Sequence, residues 1–430
     1  MNSKKHDFFI LLTCIPIIIL FALSAYDLME LYLEITFTLV FFYYLVFKDS
    51  LLTLSYVFIT IPIHALLKGG FFFYNVIPLI LFVLFIKTLK YNASFTILKN
   101  RTFKFFLFAS IFYYLISVLV SGGSYASNLK VLEFAFCLFI IPTLYQNKYL
   151  FKRSLFYFGL LSISFSLIFS TTSSRTNLVF EYADIASISG LNPLVFGTSL
   201  VVFLILYFNE NFILKINNGY VNKEKCLFIL ALFAILLTTS RTSILAISTC
   251  FLFYYFKKNF LSILKPIIII TITFIIFHSF LYTTLSGYAG AYDFIVGRSL
   301  NENIDFNQYT HDRADMYSLI FNEIQKGNYI FNGILPGGDT TQIYKVLSNK
   351  GHMIHSLYLK LIIEIGLFFT VIISLSLFSY LIKSLRRDNF YQYAGMIGWV
   401  MICFFTTGLD VLSGLVLSIS FIQINNSHEK

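Results

Sequence analysis

Along most of this chain apolar and polar positions do not alternate. Stretches such as Phe8 to Leu23 and Pro266 to Phe277 are apolar on every side. Runs of about 17 to 25 apolar residues are what a helix needs to cross a hydrocarbon layer of about 30 Å. The strands of an outer-membrane barrel read differently, as short alternating segments broken by turns, and that pattern is missing here. The spacing predicts spans near residues 8–26, 31–47, 51–67, 71–89, 103–120, 129–145, 153–170, 191–208, 226–240, 241–256, 262–281, 356–382, 391–407 and 409–424. The expected fold is therefore an all-α polytopic membrane protein, a bundle of about 14 transmembrane helices.

Polar interruptions divide the pattern. Residues 226–256 read as one helix interrupted at Thr238 to Arg241, but 31 residues would reach about 46 Å, longer than one span needs. Lys223 and Lys225 before the stretch, and Lys257 and Lys258 after it, put both ends on one side, so the chain turns back near Arg241. Two outer loops stand apart. One, over 171–190, is rich in Ser and Thr and contains Arg175. The other, over 282–355, is large and extracytoplasmic and is expected to contain short helices. Asp312 can cap a helix with Met316, Leu319, Ile320 and Ile324 on one face, suited to the membrane surface or to the bundle. Asn332, Gly333, Pro336, Gly337 and Gly338 then force a turn, and a second short helix is expected around 342–347. Four regions result: an N-terminal transmembrane bundle (1–170), transmembrane helices with Arg-bearing outer turns (171–281), the large loop (282–355) and C-terminal transmembrane helices (356–430).

Composition agrees: 58% of residues are hydrophobic and 12% charged, more apolar side chain than one soluble core can bury. Charge then fixes the orientation. With a cytoplasmic N-terminus, 21 of the 31 Lys and Arg fall on inside segments, leaving 10 outside. Six of those ten lie between Arg298 and Lys360, so both termini are expected in the cytoplasm. Lys4 and Lys5 precede the first apolar run as in a secretory signal, yet no small-residue cleavage site follows, and the run reads as a retained helix. The five cysteines lie in apolar segments without a CxxC pair, which points to buried apolar residues rather than disulfides or a thiolate metal site. No P-loop, GxGxxG or HExxH is present, nor paired broken helices in matching halves, so pumps and inverted-repeat transporters find no support.

The candidates for chemistry, Arg175, Arg241, Arg313, His352, His355 and Glu364, all fall at or near the outer face on this topology. Arginines in apolar surroundings cost a few kcal/mol and are held for pairing or for binding an anion; a guanidinium grips phosphate oxygens through two parallel hydrogen bonds. Plainer readings stand beside this one. Arg175 fits a solvated loop, Arg241 a side chain reaching lipid headgroups, and Arg313 a partner of Asp312 or Asp315. His352 and His355 fit neutral, hydrogen-bonded residues; as a metal half-site they have only Glu364 as a third ligand, and no metal is expected. An acid inside a span, as Glu364 is, should face a partner or a wet cavity.

Several segments together resemble a family. They are Ser189-Gly190-Leu191-Asn192-Pro193, Ser240-Arg241-Thr242-Ser243 at a helix start, Asp312-Arg313, the turn Phe331-Asn332-Gly333-Ile334-Leu335-Pro336-Gly337-Gly338, and His355-Ser356-Leu357-Tyr358-Leu359 with Glu364-Ile365-Gly366 downstream. In order and spacing this is similar to the O-antigen polymerase and O-antigen ligase superfamily, over about residues 175 to 366. Ser356 stands where the family more often has Asn.

The resemblance implies transfer of a glycan from undecaprenyl pyrophosphate to a sugar hydroxyl on the periplasmic side of a bacterial inner membrane, without metal or cofactor. It gives Arg241 and Arg313 to the pyrophosphate, with Arg175 as a third cation. His355 is the base, with His352 and His311 as lesser candidates, and Glu364 orients it or stabilises its cation. Asn192, His352, Glu364 and Tyr358 are expected to contact substrate. A polymerase would extend a lipid-linked repeat unit, in partnership with a chain-length regulator. A ligase would use a lipid A-core acceptor, and a capsule or exopolysaccharide polymerase is a further alternative. The different-class reading is a flippase or other transporter of lipid-linked glycan, which should carry charges within several spans.

Overall fold

The computed structural model describes residues 3–23, 26–47, 50–66, 71–89, 97–121, 125–172, 193–208, 223–238, 240–258, 320–336, 356–385, 389–406 and 409–422. Among these residues the fold is helical, with no strand. In chain order the helices are α1 (Ser3–Ala22), α2 (Tyr26–Phe47), α3 (Ser50–Leu66), α4 (Phe71–Thr88), α5 (Arg101–Ser121), α6 (Tyr125–Cys137), α7 (Ile140–Leu144) and α8 (Lys148–Thr172). There follow α9 (Pro193–Tyr207), α10 (Lys223–Leu237), α11 (Arg241–Lys258), α12 (Leu357–Ile365), α13 (Leu367–Leu385), α14 (Phe390–Phe405) and α15 (Val411–Ile419).

Among the described residues four stretches, Lys5–Ala22, Arg101–Val120, Lys148–Ile168 and Leu367–Leu385, are long and apolar enough to cross a membrane; other apolar stretches, such as Leu31–Leu45 and Leu194–Tyr207, run 10–17 residues. What surrounds the bundle follows from its outward faces. Leu28, Leu31, Ile35, Leu39 and Phe42 stand exposed along α2, and Phe108, Phe112, Leu115 and Leu119 along α5, each at helical spacing. On α13 the exposed residues include Phe368, Phe369, Ile372, Leu375 and Phe378. Continuous outward stripes of large apolar side chains are costly in water and neutral in lipid. The inward faces are apolar too, packed through aromatic pairs such as Phe58 on Phe158 (centroids 4.6 Å apart) and Phe106 on Trp399 (5.2 Å). Several buried hydroxyls return their hydrogen bonds to the preceding helical turn, as Thr60 does to Tyr56 O and Ser166 to Ser162 O, and these need no water.

Contacts between helix ends fix the directions of the helices. At one end, here called lower, Tyr254 of α11 meets Phe390 of α14, the Tyr391 hydroxyl donates to Leu206 O at the end of α9, and Asn389 donates to Ile422 O. His6 lies at the same end, hydrogen-bonded to Tyr44 (2.5 Å) and Ser55 (3.1 Å), with Ser55 on Ser154 and Asp7 paired to Arg153; this network ties α1, α2, α3 and α8. At the upper end Leu357 N donates to Thr406 O, so α12 begins where α14 finishes. Because α11 finishes beside the start of α14, α11 begins at the upper end as well. Each of these contacts joins helix ends that the alternating path of the sequence reading assigns to one side.

Where the helices break, the structure corrects the expected spans. Residues 226–256 are two helices, α10 and α11, separated at 238–240, as the flanking charges require. The run 129–145 is not one helix. It ends at Cys137 and resumes as α7, because Pro142 offers no N–H to Leu138 O and its ring crowds that carbonyl. The run 356–382 is split at Gly366, and 409–424 yields only the nine-residue α15, capped by Asp410 and Ser413 in a reciprocal box. The expected span 262–281, the proposed helix start at Asp312 and the helix around 342–347 lie outside the described residues.

Candidate functional site

The split at Gly366 is closed by a strap from the large loop. Ile334 N and Leu335 N donate to Ile363 O and Glu364 O, carbonyls of the last turn of α12, each at 2.9 Å. In return, Leu367 N and Phe368 N, the first donors of α13, bond to Tyr329 O (2.7 Å) and Ile330 O (2.9 Å). Helix ends leave such groups without intrahelical partners, and in apolar surroundings an unmet one costs several kcal/mol, so the strap completes the broken helix. Two glycines permit the approach. A Cβ at Gly333 would lie 2.2 Å from Glu364 C and O, and Gly366 takes φ 89° and ψ 158°, a conformation nearly confined to glycine. The segments singled out in sequence as the glycine turn and as Glu364-Ile365-Gly366 are one structural unit.

Below the strap, the expected amphipathic helix is seen from 320 onward. Ile320 packs with Leu359 and Ile363 of α12, and Ile324, Tyr329 and Ile334 cover them, so this face lies on the bundle. The helical turn closes at Gly327 (φ 91°), with Asn328 N on Glu323 O and Gly327 N on Ile324 O, the paired bonds of a Schellman motif. The Glu323 side chain accepts from Lys326 (2.7 Å) and Asn328 (2.6 Å), and these two bonds hold its carboxyl below the usual range.

Glu364 sits inside this assembly with 2% of its surface exposed. It occupies the last turn of α12, the negative end of the helix dipole, where a carboxylate is disfavoured. Two partners offset that. The Tyr113 hydroxyl, from α5, donates to Oε2 at 2.6 Å, and Lys360 Nζ, one turn back on α12, lies 3.7 Å from Oε1. The same ammonium stands over the Tyr113 ring, 5.6 Å from its centroid. The expectation that an acid here faces a partner is met by residues that sequence reading did not select. The Lys360 and Glu364 spacing of four was a visible signal for that pair; Tyr113, one of 29 tyrosines, gave none.

Arg241 is the first residue of α11. Around it, the Ser240 and Ser243 hydroxyls bond at 2.9 Å and Ser240 N donates to the Thr238 hydroxyl, which fixes the turn at the upper end. Ser356 immediately precedes α12 at that same end. Tyr358, expected at substrate, packs its ring on Phe404 at 4.8 Å and fastens α12 to α14. Arg175, Asn192, His311, Arg313, His352 and His355 lie outside the described residues. Among the described residues no group of three or more His, Cys, Asp or Glu side chains is arranged to hold a metal.

The upper end thus offers a buried carboxylate fixed by a phenol and an ammonium, a rigid strap, and two helix starts carrying Arg241 and the residue after His355. Compared with known protein families, curated proteins and solved structures, the chain matches none.

Proposed function

We propose that this chain is an O-antigen polymerase, a metal-independent glycosyltransferase of a bacterial inner membrane that moves the growing glycan from undecaprenyl pyrophosphate to a new lipid-linked repeat unit. In this reading about 14 spans cross the bilayer, both termini are cytoplasmic, and the upper end faces the periplasm. One observation carries it: residues 329–335 and 363–368, which run through the two family-like segments, are joined by four backbone hydrogen bonds around a buried acid, at the end where α11 opens with Arg241.

The chemistry is a substitution at the anomeric carbon. The bond from that carbon to the pyrophosphate oxygen breaks as the acceptor hydroxyl oxygen forms its own bond to the same carbon. His355 takes the hydroxyl proton; an imidazole, with an ordinary pKa near 6.5, suits that transfer. Arg241 and Arg313, with Arg175, receive the charge that builds on the departing pyrophosphate. Glu364 belongs to the wall that orients the acceptor side. A chain-length regulator is the expected protein partner.

The test is the banding of surface polysaccharide in a deletion strain carrying each variant. Arg241→Ala, Arg313→Ala and His355→Ala, at normal membrane levels, are each expected to slow extension by about 10²- to 10³-fold, leaving single repeat units on the lipid core. Normal ladders from all three would refute the reading. A core bearing no repeat unit would indicate ligation, and complete loss of surface glycan would indicate translocation.

A further inference from the structure

The N-terminal half of the chain resembles the family only in being apolar spans, yet one of its side chains reaches the acid at the strap. α5 runs beside the split helix at two levels. Phe105 meets Tyr380 of α13 (5.8 Å), and Tyr113, eight residues or about 12 Å further along, bonds to Glu364 of α12. Phe108, Phe112, Leu115 and Leu119 occupy the exposed face of α5, and Tyr113 is turned the other way. From this helix the Tyr113 hydroxyl is aimed at a carboxylate that is 2% exposed.

We infer that Tyr113 is a positioning residue of the proposed transferase, holding Glu364 through its hydroxyl, with Lys360 as the second clamp, so that the α12 helix keeps its register against the strap. This rests on the polymerase reading above. It makes α5 part of the site rather than a spacer. Without the hydroxyl, Glu364 Oε2 loses a charge-assisted donor in a setting where helix carbonyls already oppose the charge, and the carboxylate moves. Tyr113 reaches substrate only through Glu364.

The experiment is glycan transfer in membranes containing full-length protein, with kcat and KM measured for wild type, Tyr113→Phe, Glu364→Gln, the double variant, and Tyr114→Phe as a neighbour on the same helix. The phenylalanine keeps the ring and its packing. Tyr113→Phe is expected to lower kcat by about tenfold or more while KM stays within twofold, the scale of one hydrogen bond to a charged group. In the Glu364→Gln background it should add nothing, and Tyr114→Phe should behave as wild type. Wild-type kcat in Tyr113→Phe, losses that multiply in the double variant, or an equal loss in Tyr114→Phe would each overturn the inference. Arg241→Ala separates the two claims. If Arg241→Ala is inactive while Tyr113→Phe is normal, only the positioning role falls; if Arg241→Ala, Arg313→Ala and His355→Ala are all fully active, the polymerase reading falls with it.

Discussion

At Gly366 a methyl group would meet two obstacles together. Its φ of 89° with ψ of 158° is nearly closed to other residues, and a Cβ would lie 2.9 Å from Phe331 C. Gly366→Ala is therefore expected to destabilise the α12–strap unit by about 1 to 3 kcal/mol from conformation alone, with the contact adding to it. Gly333→Ala should be at least as damaging, since the nearest atoms are backbone and cannot rotate away. Limited proteolysis within 320–336 reads both, faster cutting being the expected outcome. Glu323 sets a pH window for the same segment. Lys326 and Asn328 hold its carboxyl below the usual range, so the stabilisation is complete above the ordinary carboxylate pKa of about 4.3 and is lost as pH falls through the lower, folded value. Protection of the 320–336 amides, taken relative to their intrinsic exchange rate at each pH, should be unaffected by these bonds from pH 8 to 5 and should fall below about pH 4, less so at high salt. At this scale the sequence was half legible. Gly333 and Glu364 stood out because a glycine turn and an acid in an apolar run each need a reason, whereas Tyr113 looks like every other aromatic in a chain with 52 Phe.

Among whole elements, α13 is the helix whose surroundings are plainest. Phe368, Phe369, Ile372, Leu375 and Phe378 are exposed along it, and Leu375 lies near its midpoint. Leu375→Arg should oppose insertion by about 2.5 to 3.5 kcal/mol, the cost of a cation at the centre of a span, and alkaline extraction of membranes should show less retained protein. Leu375→Phe should be retained normally. Existence and rough position of most helices were readable from apolar runs, because desolvating backbone forces a helix wherever the run is long enough. The breaks were not. Gly366 sits inside a largely apolar stretch from Leu357 to Ile382, and what ends the helix there is a strap about thirty residues upstream that supplies the missing hydrogen-bond partners. The break before Pro142 was available from sequence, since proline denies a donor to the preceding turn. The turn at 238–240 was legible through charge: lysines on both flanks demanded that the chain come back.

For the molecule as a whole, sidedness decides what the site can do. Contacts such as Leu357 N to Thr406 O at one end, and Tyr391 to Leu206 O at the other, sort the helix ends into two sets. The strap, Glu364 and the start of α11 belong to the upper set. A glycan transferase using periplasmic substrates needs that set to face away from the cytoplasm. Single cysteines at Asn328, exposed on the strap side, and at Gln146, exposed at the lower end, in a chain whose five native cysteines are replaced, test this directly with a membrane-impermeant thiol reagent applied to intact spheroplasts. Asn328→Cys is expected to be labelled from outside, and Gln146→Cys only after the membrane is opened. Labelling of Gln146→Cys from outside, with Asn328→Cys protected, would overturn the assigned sidedness.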